Sequence, residues 1–152
     1  MEIRIDDLRG PEIAALLEGH LAHARTLSPP GTVHALDLAG LRARNVTFWT
    51  VWDNSLLLGC GALKELDPTF CEMKSMHTAR DHRGKGVGSL LVRHILGVAR
   101  ERGYRRISLE TGTHADFQPA HRLYRRFGFD YCDAFADYSI TPHNVCMTLE
   151  LA

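Results

Sequence analysis

The sequence contains no long hydrophobic run and no stretch of biased composition. None of its apolar segments approaches the roughly 20 residues that a helix needs to cross a bilayer. The first residues lack the apolar core of a secretory signal, and no internal repeat or linker is visible. For a chain of 152 residues, we expect one domain over residues 1–152, in the cytoplasm and without a membrane partner.

Cysteine is scarce and shows no paired spacing. The four cysteines are Cys60, Cys71, Cys132 and Cys146. Because none forms a Cys-x-x-Cys pair, neither a zinc ribbon nor a disulfide scaffold organises the chain. This pattern is typical of buried, reduced thiols in a cytosolic protein. His20 and His23 have the spacing of a metal pair but no evident third ligand, so we expect two solvated helix histidines and no metal.

An excess of either charge is also absent. The 18 Lys and Arg residues balance 18 Asp and Glu residues, which argues against a nucleic-acid partner held by bulk charge. Arginine clusters at 100–106 and 122–126 are, in a neutral chain, more typical of solvated faces. With 45% hydrophobic residues, the chain can bury a core without disulfides or metals, and disorder is excluded.

Apolar periodicity predicts seven strands and four helices. The strands are expected at 3–5, 45–52, 56–66, 70–78, 105–111, 129–132 and 144–151. The helices are expected at 11–27, at 36–41, from Val87 to just before Gly103, and from an Asp116 N-cap to Gly128.

The connections between these elements indicate the topology. Short turns between the strands at 45–52, 56–66 and 70–78 predict an antiparallel meander. The strand at 105–111 follows a strand–helix crossover and should lie parallel to 70–78. The last two strands should pair across their connecting loop. The order β-α-α-β-β-β-α-β-α-β-β therefore indicates an α/β (α+β) fold, with a mixed, mostly antiparallel sheet of six to seven strands and about four helices.

A loop with three glycines, Gly84, Gly86 and Gly88, joins the strand at 70–78 to the next helix. Glycines let a backbone approach an anion closely, and the N–H groups at a helix start point towards it. A Walker loop is excluded because Gly84-Lys85 is followed by glycine and not by Ser or Thr. A Rossmann fingerprint is excluded because Ser89 occupies the last glycine position. A tight turn without a ligand is the remaining alternative.

Two segments of the sequence form motifs with fixed spacing. The first is Arg83-x-x-Gly86-x-Gly88, and the second runs from Ala120 to Phe129, with Leu123-Tyr124 and Gly128-Phe129. The first resembles the acyl-CoA signature of the GNAT superfamily of N-acetyltransferases, and the second resembles the Ala-x-x-Leu-Tyr-x-x-x-Gly-Phe segment of that family. The element order fits over nearly the whole chain, and the resemblance is greatest to small bacterial members. It implies the GNAT fold.

The resemblance implies acetyl-CoA as co-substrate. In the family, the CoA diphosphate lies on the N–H groups of the glycine loop, and the preceding strand pairs with the peptide-like pantetheine arm. Carried over to this sequence, Met76 and Thr78 fall at the strand positions. The loop positions are Arg83, Gly84, Lys85, Gly86, Val87, Gly88 and Ser89. Helix-start N–H groups and the helix dipole favour such an anion.

Two residues are candidates for acid–base chemistry. Tyr124 matches the general acid of the family, which protonates the CoA thiolate; the alternative is an aromatic residue that only packs on its helix. A carboxylate on the strand before the loop often serves as base, which indicates Glu72, expected on the same strand face as Met76 and Thr78. Glu110 or water are the alternatives for the base. For Glu72 itself, the alternatives are an exposed strand charge and an ion pair with Lys74 or an arginine.

Several neighbouring positions leave alternatives open. Many members have Asn where Phe117 stands, so Phe117 either packs in the core or shapes the acceptor pocket. Cys71 permits a ping-pong route through an acetyl-cysteine, but no activating histidine is close in sequence, and a buried thiol is favoured. The first helices and their loop at 27–34 read the acceptor in this family.

The resemblance therefore implies an acetyl-CoA-dependent N-acetyltransferase. We expect direct transfer within a ternary complex to a primary amine of a small molecule or peptide. The alternatives are a CoA-binding regulator without turnover and a nucleic-acid module. A homodimer through the C-terminal strands is compatible with the resemblance.

Overall fold

A computed structural model describes residues 1–27 and 38–151 of the chain. The strands are β1 (Glu2–Ile5), β2 (Val46–Asp53), β3 (Leu56–Asp67), β4 (Phe70–Thr78), β5 (Arg106–Gly112), β6 (Asp130–Cys132) and β7 (Asn144–Glu150). The helices are α1 (Pro11–Leu27), α2 (Leu38–Leu41), α3 (Val87–Glu101) and α4 (Gln118–Arg126). This is the predicted order. The predicted helix at 36–41 overlaps α2, and its first two positions lie outside the described residues.

The seven strands form one sheet in the order β1-β2-β3-β4-β5-β7-β6. Each neighbouring pair is antiparallel except β4 and β5, which run parallel. The predicted meander, the parallel crossover and the pairing of the last two strands are all confirmed. The mixed, mostly antiparallel sheet is thus the one that the connection lengths indicate.

The parallel contact between β4 and β5 is short. It comprises three register pairs, the last of which joins Glu72 to Ser108. Beyond this point β4 continues to Thr78 along β3, while β5 continues to Gly112 along β7. The facing edges of the two strands therefore have backbone groups without a sheet partner, and they open a cleft in the middle of the sheet.

A β-bulge in β4 lies beside this cleft. Ser75 has a φ of 57°, and the register shifts so that Lys74 pairs with Ala62 but His77 pairs with Cys60. The extra residue reverses which face each following side chain occupies. Met76 consequently packs on the side of α3, opposite to Glu72. The prediction that Glu72 shares a face with Met76 and Thr78 is wrong for this reason.

Two apolar clusters hold helices on opposite faces of the sheet. On one face, α3 buries Val87, Leu91 and Ile95 in a large cluster that also contains Tyr124 of α4. On the other face, α1 contributes a smaller cluster through Ile13. The helical spacing of these side chains is the one seen in the sequence, and each fully buried aliphatic residue stabilises the fold by about 1.5–3 kcal/mol.

The helix ends follow the sequence with one exception. Gly103 and Gly128 have φ values of 84° and 100° and follow the last turns of α3 and α4, as predicted. The predicted N-cap at Asp116 is wrong. The imidazole of His114 accepts the Asp116 N–H at 3.1 Å and caps a 3₁₀ turn, and α4 begins only after it. None of the described helices is long and apolar enough to cross a membrane.

Candidate active site

A cavity of about 870 Å³ occupies the cleft between β4 and β5. Its walls come from both faces of the sheet, because the cleft interrupts the sheet itself. Side chains of β3, β4, β5, α1 and α4 line it, together with the segment 137–144 that precedes and enters β7. Among them are Glu72, Met76 and Tyr124. The predicted strand before the loop, the predicted acid and the predicted base thus meet in one cavity.

The glycine loop presents free donors at the start of α3. From Gly84 to Ser89, six consecutive backbone N–H groups make no backbone hydrogen bond to another described residue. Gly84 and Gly86 have φ values of 77° and 85°, and a side chain on Gly86 would meet no atom within 4 Å. The loop therefore needs glycine for its backbone conformation, and its free N–H groups can bind an anion.

Cationic side chains flank these donors. Arg83 and Lys85 are exposed, and the Lys85 ammonium lies 3.0 Å from Nδ1 of His82. Gly88 has a further role, because a Cβ there would lie 2.9 Å from the Leu123 side chain. This glycine therefore allows α3 to approach α4, and the loop combines anion-binding geometry with close helix packing.

The two residues of β4 that were predicted to contact the cofactor have different positions relative to the cavity. Met76 lines the cavity, whereas Thr78 is not among its lining residues. Past Glu72, the edge of β4 that faces β5 has no strand partner. Such an edge can pair with an extended, amide-containing ligand.

Tyr124 lies in the last turn of α4. The residue is 7% exposed, its ring packs edge-on against Phe129 at 5.9 Å between centroids, and it lines the cavity. Among the described residues its hydroxyl has no hydrogen-bond partner. Burial raises the pKa of Tyr124 to about 12, so the phenol keeps its proton at neutral pH and can act as a donor.

Glu72 is buried and bound to a residue far away in sequence. It is 2% exposed, and its Oε2 accepts a hydrogen bond of 2.5 Å from the hydroxyl of Tyr138. Burial raises the pKa of Glu72, while Tyr138, Lys74 and Lys64 oppose that rise. The carboxyl is therefore not an exposed strand charge, and among the described residues it forms no ion pair. Its raised pKa favours proton exchange nearer to neutral pH.

Glu110, the second predicted candidate for the base, also lines the cavity. Its Oε2 accepts a hydrogen bond of 3.2 Å from the side-chain amide of Asn144. The same amide donates to the backbone oxygen of Ser139 at 3.0 Å. Asn144 thereby joins β5 to the segment that carries Tyr138.

The segment between β6 and β7 is anchored over the cavity by aromatic contacts. The Phe135 ring contacts Phe70 at 5.8 Å and Tyr138 at 5.1 Å between centroids, and the Tyr138 N–H donates to the Phe135 oxygen. The sequence pattern indicated only a connecting loop here and did not point to Tyr138. The signal available was a pair of aromatic residues, Phe135 and Tyr138, in the loop between two strands.

Two histidines stack on each other in the wall of the cavity. The rings of His20 in α1 and His77 in β4 are 3.4 Å apart, and both line the cavity. Burial, with the nearby charges of His23 and Arg83, lowers the pKa of His20 to about 4. The expectation of a solvated histidine is wrong for His20, because the stack covers its ring.

Cys71 is fully buried on the α3 side of the sheet. Burial raises the pKa of its thiol to about 12, which disfavours an acetyl-cysteine route.

Phe117 lines the cavity, and its ring covers Gly112 so closely that a Cβ on Gly112 would lie 2.5 Å from the ring. Phe117 therefore shapes the pocket wall.

Residues 15–129 match the Acetyltransferase (GNAT) family. The chain belongs to this family. It is 49% identical over 151 residues to YsnE of Bacillus subtilis (strain 168), named an uncharacterized N-acetyltransferase; the match covers 99% of this chain and 100% of the relative.

Solved structures agree on the GNAT fold. A Klebsiella pneumoniae protein proposed to be an acyl-CoA N-acyltransferase has a TM-score of 0.81 and 28% identity, over 99% of this chain and 97% of that one. A Bacillus subtilis acetyltransferase in complex with CoA has a TM-score of 0.71 and 21% identity, over 99% of each chain. The predicted family and fold are confirmed. As a GNAT N-acetyltransferase, the chain is an acyltransferase whose acceptor is an amine.

Proposed function

We propose that this GNAT protein transfers an acetyl group directly from acetyl-CoA to a primary amine of a small molecule or peptide. The observation that carries the proposal is the position of a buried carboxylate, Glu72, in the same cavity as a buried phenol, Tyr124. The glycine loop lies at the start of α3, whose first residue, Val87, packs against Gly59 of β3. One cavity thus has an acid and a base, and the anion-binding helix start lies outside its lining.

The residues present fit CoA. The free N–H groups from Gly84 to Ser89 would bind the diphosphate, with Arg83 and Lys85 adding charge. The unpaired edge of β4 around Met76 would receive the pantetheine arm. Acetyl-CoA supplies the thioester, and the structural neighbour with bound CoA supports the assignment.

Glu72 is proposed as the general base. An amine is protonated at pH 7 and must lose a proton before its nitrogen can attack a carbonyl. Glu72 accepts that proton, directly or through water, and Tyr138 holds its carboxylate in place. Because burial raises the pKa of Glu72, the carboxylate is a better base than an exposed glutamate.

Tyr124 is proposed as the general acid. As the new C–N bond forms and the C–S bond breaks, the sulfur leaves as a thiolate. The Tyr124 hydroxyl donates its proton to that sulfur, and the phenolate then regains a proton from solvent, to which Glu72 releases its own. Each turnover therefore yields one N-acetylated amine and one CoA thiol.

The proposal is tested by incubating the enzyme with acetyl-CoA and a panel of amines and peptides. We expect release of CoA thiol that depends on the amine, with an equimolar N-acetyl product detected by mass spectrometry. Binding of acetyl-CoA without product from any amine would instead support the alternative, a CoA-binding regulator.

A further inference from the structure

Lysine is rare in this chain, and two of its three lysines lie in the cavity. Lys64 and Lys74 line the cavity, whereas Lys85 lies in the glycine loop. Lys64 is the cross-strand partner of Glu72, and Lys74 follows Glu72 by two positions. Such neighbours are about 5 Å and about 7 Å apart along the sheet. Both ammonium groups can therefore reach the region where an amine would meet Glu72.

Both lysines lie close enough to Glu72 to lower its pKa, but neither is held in an ion pair by another described side chain. Within residues 1–27 and 38–151, Lys64 and Lys74 form no ion pair. The carboxylates beside them have other partners, since Glu72 accepts from Tyr138 and Glu110 accepts from Asn144. Both lysines are half-buried in the wall. Two cations are thus available to an anionic group that a ligand brings into the cavity.

We propose that Lys64 and Lys74 bind a carboxylate of the acceptor, so that the acceptor is an amine that also carries a carboxylate, as an amino acid does. The inference rests on the proposed function and narrows its acceptor. In an amino acid a single carbon atom joins the amine to the carboxylate. An amine bound at Glu72 would therefore bring its carboxylate close to Lys64 and Lys74, which lie beside Glu72 on the same face of the sheet. An acceptor without an anion would leave two half-buried ammonium groups unpaired, which lowers affinity.

A purely electrostatic role is the competing explanation. Glu72 is faced by charged or titratable groups from several elements, and the two lysines, Glu110 and Tyr138 shift its pKa. These groups are Lys64 of β3, Lys74 of β4, Glu110 of β5, Cys146 of β7 and Tyr138. If the lysines act only through Glu72, their removal changes the rates of all acceptors alike. If they bind a carboxylate, their removal raises KM only for acceptors that carry one.

The test compares matched acceptors with the full chain and acetyl-CoA. The pairs are phenylalanine with phenethylamine, tyrosine with tyramine, and leucine with isoamylamine, which differ only in the carboxylate. Rates are measured on the alkaline plateau, where Glu72 is ionised in every variant. For the wild type, we expect kcat/KM for the amino acids to exceed that for the amines by at least about 10-fold.

The lysine variants then separate the two roles. Lys64→Met and Lys74→Met keep an unbranched apolar stem and should raise KM for the amino acids by about 10- to 100-fold, with KM for the amines within about 2-fold. Lys74→Arg keeps the charge and should retain the wild-type KM within about 3-fold. Equal use of both acceptor sets, or equal losses for both in the Met variants, would overturn the proposal.

A binding measurement keeps this proposal separate from the proposed function. If none of the six acceptors is acetylated, calorimetry of the amino acids with the CoA-saturated enzyme decides the matter. Binding that Lys64→Met weakens by at least about 10-fold supports the carboxylate subsite even though turnover has failed. Absence of binding refutes the subsite.

Discussion

The hydroxyl of Tyr138 lies 2.5 Å from Oε2 of Glu72, although 66 positions separate the two residues in the chain. Glu72 is on β4, in the last register pair before β4 and β5 separate. Tyr138 comes from the segment between β6 and β7. The contact therefore links the two halves of the sheet across the cavity, at the carboxylate that we propose as the base.

Removing the Tyr138 hydroxyl should change the pH dependence of the reaction. The hydrogen bond opposes the rise in the Glu72 pKa that burial causes, so Tyr138→Phe should raise that pKa further. The acidic limb of the kcat/KM profile should then move to higher pH, with a loss of about 10-fold at pH 6 and little loss at pH 9. A limb that stays in place while the rate falls equally at all pH values would contradict this role.

Tyr124 should affect chemistry and not cofactor binding. Tyr124→Phe should lower kcat by about 100-fold, because the leaving sulfur loses its proton donor, while Kd for CoA changes less than about 2-fold. Tyr104→Phe is the matched control. Tyr104 is also 7% exposed with a pKa raised to about 12, but it donates to Glu65 outside the cavity. An unchanged kcat in Tyr124→Phe would remove this residue from the chemistry.

Gly86 should be required for CoA binding as well as for the backbone conformation of the loop. Gly86→Ala places a side chain at a φ of 85°, and Gly103→Ala does so at 84°, with no atom within 4 Å in either case. Both should cost about 1–2 kcal/mol of stability. Only Gly86→Ala should weaken CoA binding in calorimetry, by about 10-fold or more. Equal CoA affinity in the two variants would show that the loop is only a turn.

The stacked histidines should make the protein less stable in acid. Because the folded pKa of His20 is about 4 against an ordinary 6.5, the unfolded chain binds the proton first as pH falls. Stability should therefore decrease between about pH 6.5 and pH 4, by about 3 kcal/mol for His20. Denaturant unfolding of the wild type and His20→Leu checks this. A similar loss of stability in both proteins would show that His20 does not carry the effect.

The regular parts of the fold could be predicted because they follow from local patterns. The apolar stripe of α3, from Val87 to Ala99, and the glycine at its end fixed one helix and its orientation. The lengths of the connections between strands determined the meander and the crossover. The glycine loop and the segment at Tyr124 indicated the family because each has particular residues at fixed spacing. The first has glycines at the start of α3, where N–H groups can bind an anion, and the second has a tyrosine in α4 followed by Gly128-Phe129.

The features that were missed depend on distant contacts. The bulge at Ser75 reverses the faces of β4, yet a serine in a strand carries no signal for a bulge. Tyr138 reaches Glu72 only because the segment between β6 and β7 folds back over the sheet. His20 loses its solvent because His77 stacks on it. In each case tertiary packing, and not local propensity, determined the position.

The most direct test of the account is the pH–rate profile of Glu72→Gln with an acceptor that the wild type acetylates. The amide keeps the shape of the side chain and can still accept from Tyr138, but it cannot take a proton. The wild-type kcat/KM should fall as pH decreases through the pKa of Glu72. The variant should be about 100-fold slower at neutral pH and should lack that limb. A variant that keeps both the rate and the limb would show that the proton goes elsewhere.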